Sequence, residues 1–504
     1  MIRIAVLLGL LLASPTHAQT AGGFDAQLAA NVYVAALSFM APRILEPVPV
    51  PKLVQWGLGG ITALDPRLTT EVHDTRLRLL MQGHPLFETP TPKDELVSSW
   101  VGAAVTLTTA AASASSIIRR AGTASIIQSF FDELCSHLDP YSRYVPPDDA
   151  GDDRARRSGR AGIGVSLTQR GAATFVTDVI RDSPAAAAGV RPGDTIVAID
   201  GEPVRGRSAI AVMAMIDGPE DTSFTLTWRG RDGKPYESAF VRVMVPPETV
   251  FGRRANNALI VRVTGFNDTT DTHLAHTLQD GLAGDHLPDG IVLDLRGNRG
   301  GLLRQAVTVA DTFLPEGLVA STAGRAPESN HIWNSTPGEL AEGVPVIVLV
   351  DGRTASAAEV LAAALADRGR AVVVGSSTVG KGLVQTIAPL PDGGELFVTW
   401  SRILAPRGWP IHGLGVLPQV CTSLSDAASH QQLVALAGGE QSLKQAIVEH
   451  RNARAPLSPS QIPAVRNACP AAEGRAADLA VARSLIANPA AYAAALLPPM
   501  RPSR

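Results

Sequence analysis

The sequence predicts a multidomain α/β protein: a helical N-terminal region, a β-rich module with two helices, an α/β core and a helical C-terminal tail. Three observations carry this. The chain has 504 residues, 45% of them apolar, enough for several cores rather than one. From about residue 23 to 140 it is Ala/Leu-rich with helical periodicity, and beyond residue 160 short strand-like runs alternate with Gly, Pro and Asp turns. From residue 258 to about 420, strands and helices alternate, as in an α/β sheet.

The N-terminus, MIRIAVLLGLLLASPTHAQT, has a basic Arg3, an apolar run over residues 5–13 and a small residue, Ala18, at a cleavage-like site. Residues 1–18 therefore read as a secretory signal, and residues 19–150 as a helical region. The later uncharged run 101–118 is mostly Ala, Ser and Thr, too weakly apolar for a stable membrane anchor. A periplasmic or secreted protein is expected. Two segments echo each other, LVQWGLGGITALDPRLTTE (53–71) and IIQSFFDELCSHLDPYSRYVPPDD (126–149). Both end in Leu-Asp-Pro, where proline stops a helix; duplication and mere similarity of helix ends both remain open.

The net charge of −3 gives no bias toward nucleic acid or anionic membranes. The one basic cluster, DDRARRSGR (152–160), is offset by acids just before it and reads as a solvated linker. Of the three cysteines, Cys135 sits in an apolar helical pattern and reads as a buried hydrophobe. Cys421 and Cys469 share the C-terminal region and are the favoured disulfide in an oxidising compartment. His273 and His276 fall on one helix face, but no third ligand is evident, so both read as surface residues. No metal and no cofactor are expected.

Residues 160–245 hold the runs AGIGVSL, TFVTDVI, DTIVAID and SFTLTWRG, a short helix SPAAAAGV closed by Gly189, and a second helix IAVMAMIDG. The order of glycine loop, strand, SPAAxAGV helix and PGDxIxxIDG resembles a PDZ domain. The resemblance implies that an extended peptide adds to a sheet edge, its terminal carboxylate received by the loop Ala161, Gly162, Ile163 and Gly164.

The chemistry gathers in residues 250–420. In VLVDGRTASAAEVLAAALADRG an apolar strand ends at Val350, a turn follows, and a helix begins around Ser356. Such a site exposes a hydroxyl and aims free N–H groups at an anion; the N–H of Ala357 is placed to hold a tetrahedral oxyanion. Helix capping is the plainer account of Thr354 and Ser356 alone. The second element, DLRGNRGGLL (294–303), is a strand opening into a Gly-rich turn, where Gly297, Gly300 and Gly301 let backbone N–H groups approach a ligand. The third is GSSTVGKGLVQT (375–386). Its G-x-x-x-x-G-K mimics a phosphate-binding loop, but Gly382 stands where that loop needs Ser or Thr. Lys381 can instead serve as a base, if desolvation lowers its pKa from roughly 10.4. Gln385 could hold its amine without adding charge.

TASAAE, GKGLVQT, DLRGNRGG, LDPYSRYVPP (138–147) and APRGWPIHGLGVLP (405–418), with the PDZ-like module before the core, together resemble the carboxyl-terminal processing (tail-specific) serine proteases. The resemblance covers about residues 126–420. It implies a crotonase-like core and a Ser–Lys dyad: Ser356 the nucleophile, Lys381 its base, Gln385 positioning the lysine, and an oxyanion hole from the N–H of Ala357 and of Gly300 or Gly301. It implies protein or peptide substrates with exposed C-termini. Ala358, Arg299 and the segment APRGWPI depart from the usual Ser, Pro and TPSGRSI and bear on the substrate channel. The competing functions are a catalytically silent peptide-binding scaffold on the same fold and a nucleotide-binding protein. Residues 421–504 are an Ala-rich helical extension without recognisable chemistry, whose composition is compatible with homo-oligomerisation.

Overall fold

The computed structural model describes residues 23–498 apart from Asp285 and Pro459, so the signal-like residues 1–18 lie outside the described residues. The chain forms two compact units, one of residues up to Pro42 with Glu46–Pro146 and Ile387–Phe397, the other holding the remainder. The segment Ile387–Phe397, which sequence assigns to the α/β core, thus belongs to the N-terminal unit.

The N-terminal unit is built on helices Ala26–Met40, Val50–Leu58, Gly60–Leu64, Val97–Ala114 and Ser116–Ser136. It also carries a three-stranded antiparallel sheet, Leu68–His73, Arg76–Met81 and His84–Pro90, which the helical reading did not include. Its core stacks Tyr33 on Phe130 at 4.1 Å between ring centroids. The run GLGG lets helices touch: a Cβ on Gly57 would lie 2.3 Å from the Phe130 ring, and one on Gly60 2.4 Å from the Ser129 carbonyl. Both Leu-Asp-Pro ends do the same local work. Asp65 accepts the Arg67 N–H at 3.2 Å, and Asp139 the Tyr141 N–H at 2.9 Å.

In the second unit, the module at 160–245 is a sheet of Pro235–Val241, Ser223–Arg229, Thr195–Ile199, Ala173–Val179 and Val165–Arg170 in that order, with helices Pro184–Ala187 and Ala209–Ile216. The basic cluster before it is not a linker. Residues Pro147–Ser158 form a helix with Asp148 and Asp149 in its first turn, favourable against the helix dipole, and Arg160 pairs with Asp152 at 2.7 Å.

The α/β core is a six-stranded sheet in the order Val250–Ala255, Ala258–Val263, Gly290–Asp294, Val346–Val350, Ala371–Gly375 and Val420–Cys421, parallel after the first pair. The apolar runs are continuous because both faces are buried. Ile291, Leu293, Val346, Val348 and Val373 face helices Thr270–Leu282, Leu303–Asp311 and Ala357–Asp367. Their alternates Val292, Ile347, Leu349, Val372 and Val374 pack with Leu436, Val481, Ala482, Leu485 and Ala495. The C-terminal extension is therefore the second layer over the sheet, through helices Asp426–Ala437, Ala476–Ile486 and Pro489–Ala495.

Candidate active site

Ser356 follows the buried strand Val346–Val350 and is the N-cap of the helix Ala357–Asp367. Its backbone sits at φ 58°, ψ −123°, a region that costs a side-chain-bearing residue of order 1–3 kcal/mol. The turn that delivers it is tied to the neighbouring glycine-rich turn. Asp351 accepts the Gly297 N–H at 2.9 Å, and the Ala355 N–H donates to the Asn298 carbonyl at 2.9 Å. Gly300 then lies against the serine: a Cβ there would be 2.8 Å from Ser356 Cβ and 3.0 Å from the Ala357 nitrogen. The Gly300 N–H donates to Asn298 Oδ1 at 2.8 Å. The Gly300 carbonyl accepts from Phe266 at 3.1 Å, so across that planar peptide the Gly301 N–H points the other way.

The stretch bearing Lys381 packs backbone to backbone on the turn 411–415. A Cβ on Gly380 would lie 3.0 Å from the Gly413 carbonyl carbon, and one on Gly382 would lie 2.1 Å from the His412 nitrogen. That close approach accounts for glycine on both sides of Lys381, and for Gly382 where a phosphate loop needs a hydroxyl. Residues Leu383–Pro389 continue as a strand rather than the helix such a loop opens. Ser356 and Lys381 are both half-buried, reachable from outside. The Gln385 amide donates to the Leu383 carbonyl at 3.1 Å and to Thr399 Oγ1 at 3.2 Å.

Sequence reasoning missed Glu359. Fully buried, it accepts the Ser356 N–H at 2.7 Å, the Gly380 N–H at 2.6 Å and the Lys381 N–H at 2.8 Å, and a hydrogen bond from Thr378 Oγ1. Burial pushes its carboxyl above the usual carboxylate range, and the hydrogen bonds from Thr378, Gly380, Ser356 and Lys381 pull the other way. One side chain thus joins the Ser356 and Lys381 backbones. The available signal was the S-x-x-E spacing of Ser356 and Glu359, a capping pattern.

In the small module, an open cavity of about 370 Å³ runs between the loop Gly162, Ile163 and Gly164 and the helix residues Met213 and Ile216; Ala161 is not in its lining. The Ile163 carbonyl accepts from Ala185 at 3.0 Å and the Gly164 carbonyl from Ile180 at 2.8 Å, which turns the N–H groups of Gly164 and Val165 away from those partners. Asp152, from the helix that sequence took for a linker, and Asp217 also line it; burial pushes the Asp217 carboxyl up.

Cys421 and Cys469 are bonded, with Cα atoms 5.7 Å apart, and Cys135 is free and buried. His273 is buried rather than on the surface, because its helix face packs inward, and burial lowers its pKa; His276 is half-buried. Among the described residues no His, Cys, Asp and Glu cluster suits a metal, and no helix is long and apolar enough to cross a membrane.

Residues 257–422 match peptidase family S41, and residues 175–230 match the PDZ domain family. The carboxy-terminal-processing protease of Bartonella bacilliformis is 36% identical over 301 residues, 58% of this chain and 69% of that protein. The carboxy-terminal processing protease CtpA of Bacillus subtilis is 32% identical over 292 residues, 58% of this chain and 62% of that one. Among solved structures, the photosystem II D1 C-terminal processing protease is 29% identical, covering 58% of this chain and 81% of its own, with a TM-score of 0.36.

Proposed function

The chain belongs to the carboxy-terminal-processing serine proteases of peptidase family S41, and from that premise we propose that it cleaves exported proteins near or at their C-termini by a Ser356–Lys381 dyad. The observation that carries this is the single buried carboxylate of Glu359, which fixes the Ser356 and Lys381 backbones together beside Gly300.

Neutral Lys381 Nζ takes the proton as Ser356 Oγ attacks the scissile carbonyl. The resulting oxyanion is held by the Ala357 N–H and an N–H from the turn at Gly300 and Gly301. Lysinium then protonates the departing amine, leaving an ester on Ser356. A water, deprotonated by Lys381, hydrolyses that ester, and the proton returns to Ser356. Gln385, whose amide nitrogen is engaged by Leu383 and Thr399, offers its carbonyl oxygen to the lysine. The substrate tail is recognised in the groove beside Gly162, Ile163 and Gly164, its carboxylate at the Gly164 and Val165 N–H groups. Val165, Ile180, Met213 and Ile216 suit apolar terminal side chains. Export, with loss of residues 1–18, is consistent with the Cys421–Cys469 bond.

The test is cleavage of casein and of a peptide with an apolar C-terminus by wild type beside Ser356→Ala and Lys381→Ala. Both variants are expected to fold and to be inactive. Full activity in either sinks the dyad. Inactive wild type that still binds the peptide would favour the scaffold reading. Adding charged residues to the peptide's C-terminus should slow cleavage.

A further inference from the structure

The stretch bearing Lys381 is gripped from two sides. Glu359 holds Thr378, Gly380 and Lys381 from within the nucleophile's helix. From the other side Arg466, in the C-terminal extension, donates from Nη2 to the Thr378 carbonyl at 2.7 Å. It also donates from Nη1 to the carbonyls of Leu414 at 2.7 Å and Gly413 at 3.3 Å. Arg466 therefore joins the base-bearing stretch to the turn on which Gly380 and Gly382 pack. A guanidinium is suited to this, since its fixed fork bonds several carbonyls at once.

The chain just beyond continues the contact. Cys469 is anchored by its disulfide to Cys421, the end of the strand beside Ala371–Gly375. The Ala472 carbonyl accepts from Ser376 Oγ at 2.9 Å and from the Gly352 N–H at 2.7 Å, while the Ala472 N–H donates to Ser376 Oγ at 3.1 Å. The Gly474 N–H donates to Asp351 Oδ2 at 3.2 Å. One short stretch is thus bonded to the turn that delivers Ser356 and to the stretch that delivers Lys381.

We propose that residues 466–474 are a strap that sets the Ser356–Lys381 register, with Arg466 the positioning residue for Lys381. This rests on Lys381 being the base. No residue of the strap lines the groove of the small module, so its loss acts on turnover and leaves substrate affinity alone.

The experiment measures kcat and KM of the full chain on a quenched-fluorescent peptide with an apolar C-terminus, for Arg466→Gln, Arg466→Lys and Ser376→Ala, beside Lys381→Ala. Arg466→Gln is expected to lower kcat by about 10²-fold at unchanged KM, as for a displaced reacting group. Arg466→Lys should recover part of that loss. Ser376→Ala removes only the hydrogen bonds to Ala472 and should lower kcat in the same direction, which keeps the test valid if Arg466→Gln fails to fold. Wild-type kcat in Ser376→Ala, or a loss carried by KM, overturns the strap. If Lys381→Ala is itself active, the dyad has failed instead, and the two outcomes are distinct.

Discussion

Glu359 lies one turn into the helix that Ser356 begins, and its carboxylate accepts the Ser356 N–H at 2.7 Å. The same carboxylate reaches the Lys381 N–H at 2.8 Å. A helix-capping interaction has been extended across the fold, so the backbone positions of Ser356 and Lys381 depend on one buried group. Four donors converge on its two oxygens, which only a carboxylate can accept together.

Glu359→Gln is therefore expected to be far from conservative. The amide nitrogen would face donors, leaving at least one buried N–H unpaired at about 1–3 kcal/mol. The protein should unfold at lower urea, and kcat should fall more than KM changes. A variant with wild-type stability and turnover would show that the carboxylate bridge is incidental.

Ser356 holds a backbone conformation suited to glycine. Ser356→Gly should abolish cleavage and stabilise the fold by about 1 kcal/mol, by releasing that strain. Chemical denaturation beside Ser356→Ala checks this, since alanine removes the hydroxyl and keeps the strain. Equal stability of the two variants would contradict it.

Gly300 has φ 95°, and a Cβ there would press on Ser356 and on the Ala357 nitrogen. Gly300→Ala should displace the nucleophile from its oxyanion donors and lower kcat/KM by about 10²-fold or more, with some loss of stability. An active Gly300→Ala would mean that the turn does not border the reaction.

His450 is fully buried and its Nε2 bonds the Gly415 carbonyl at 2.9 Å, with the Trp409 ring 4.5 Å away. Burial first, then the charges of Arg451 and Arg466, hold its pKa at about 3. The unfolded chain takes up that proton near 6.5 and the folded chain does not. Stability is thus full above the unfolded value and is lost as pH falls toward 3. Melting should lose about 2 kcal/mol of stability between pH 7 and pH 5 from this group, and His450→Gln should flatten that slope. An unchanged slope would exclude His450 as the source.

The sequence by itself determined the order of modules, the two glycine-bearing turns and the two residues of the proposed dyad. Those features are local: apolar runs, turn glycines and a helix start are fixed by neighbours along the chain. Ser356 and Lys381 were legible because each sits at a strand end with its own punctuation. What only the tertiary structure decided are pairings between distant segments. That a helix rather than a linker borders the small module's groove, that Gly382 is demanded by the His412 backbone, and that the Ala-rich extension covers one sheet face and sends Arg466 to the Thr378 carbonyl all depend on contacts across the fold. Composition carries no record of such contacts, because a buried hydrogen bond specifies geometry between two points in space and leaves no period in the chain.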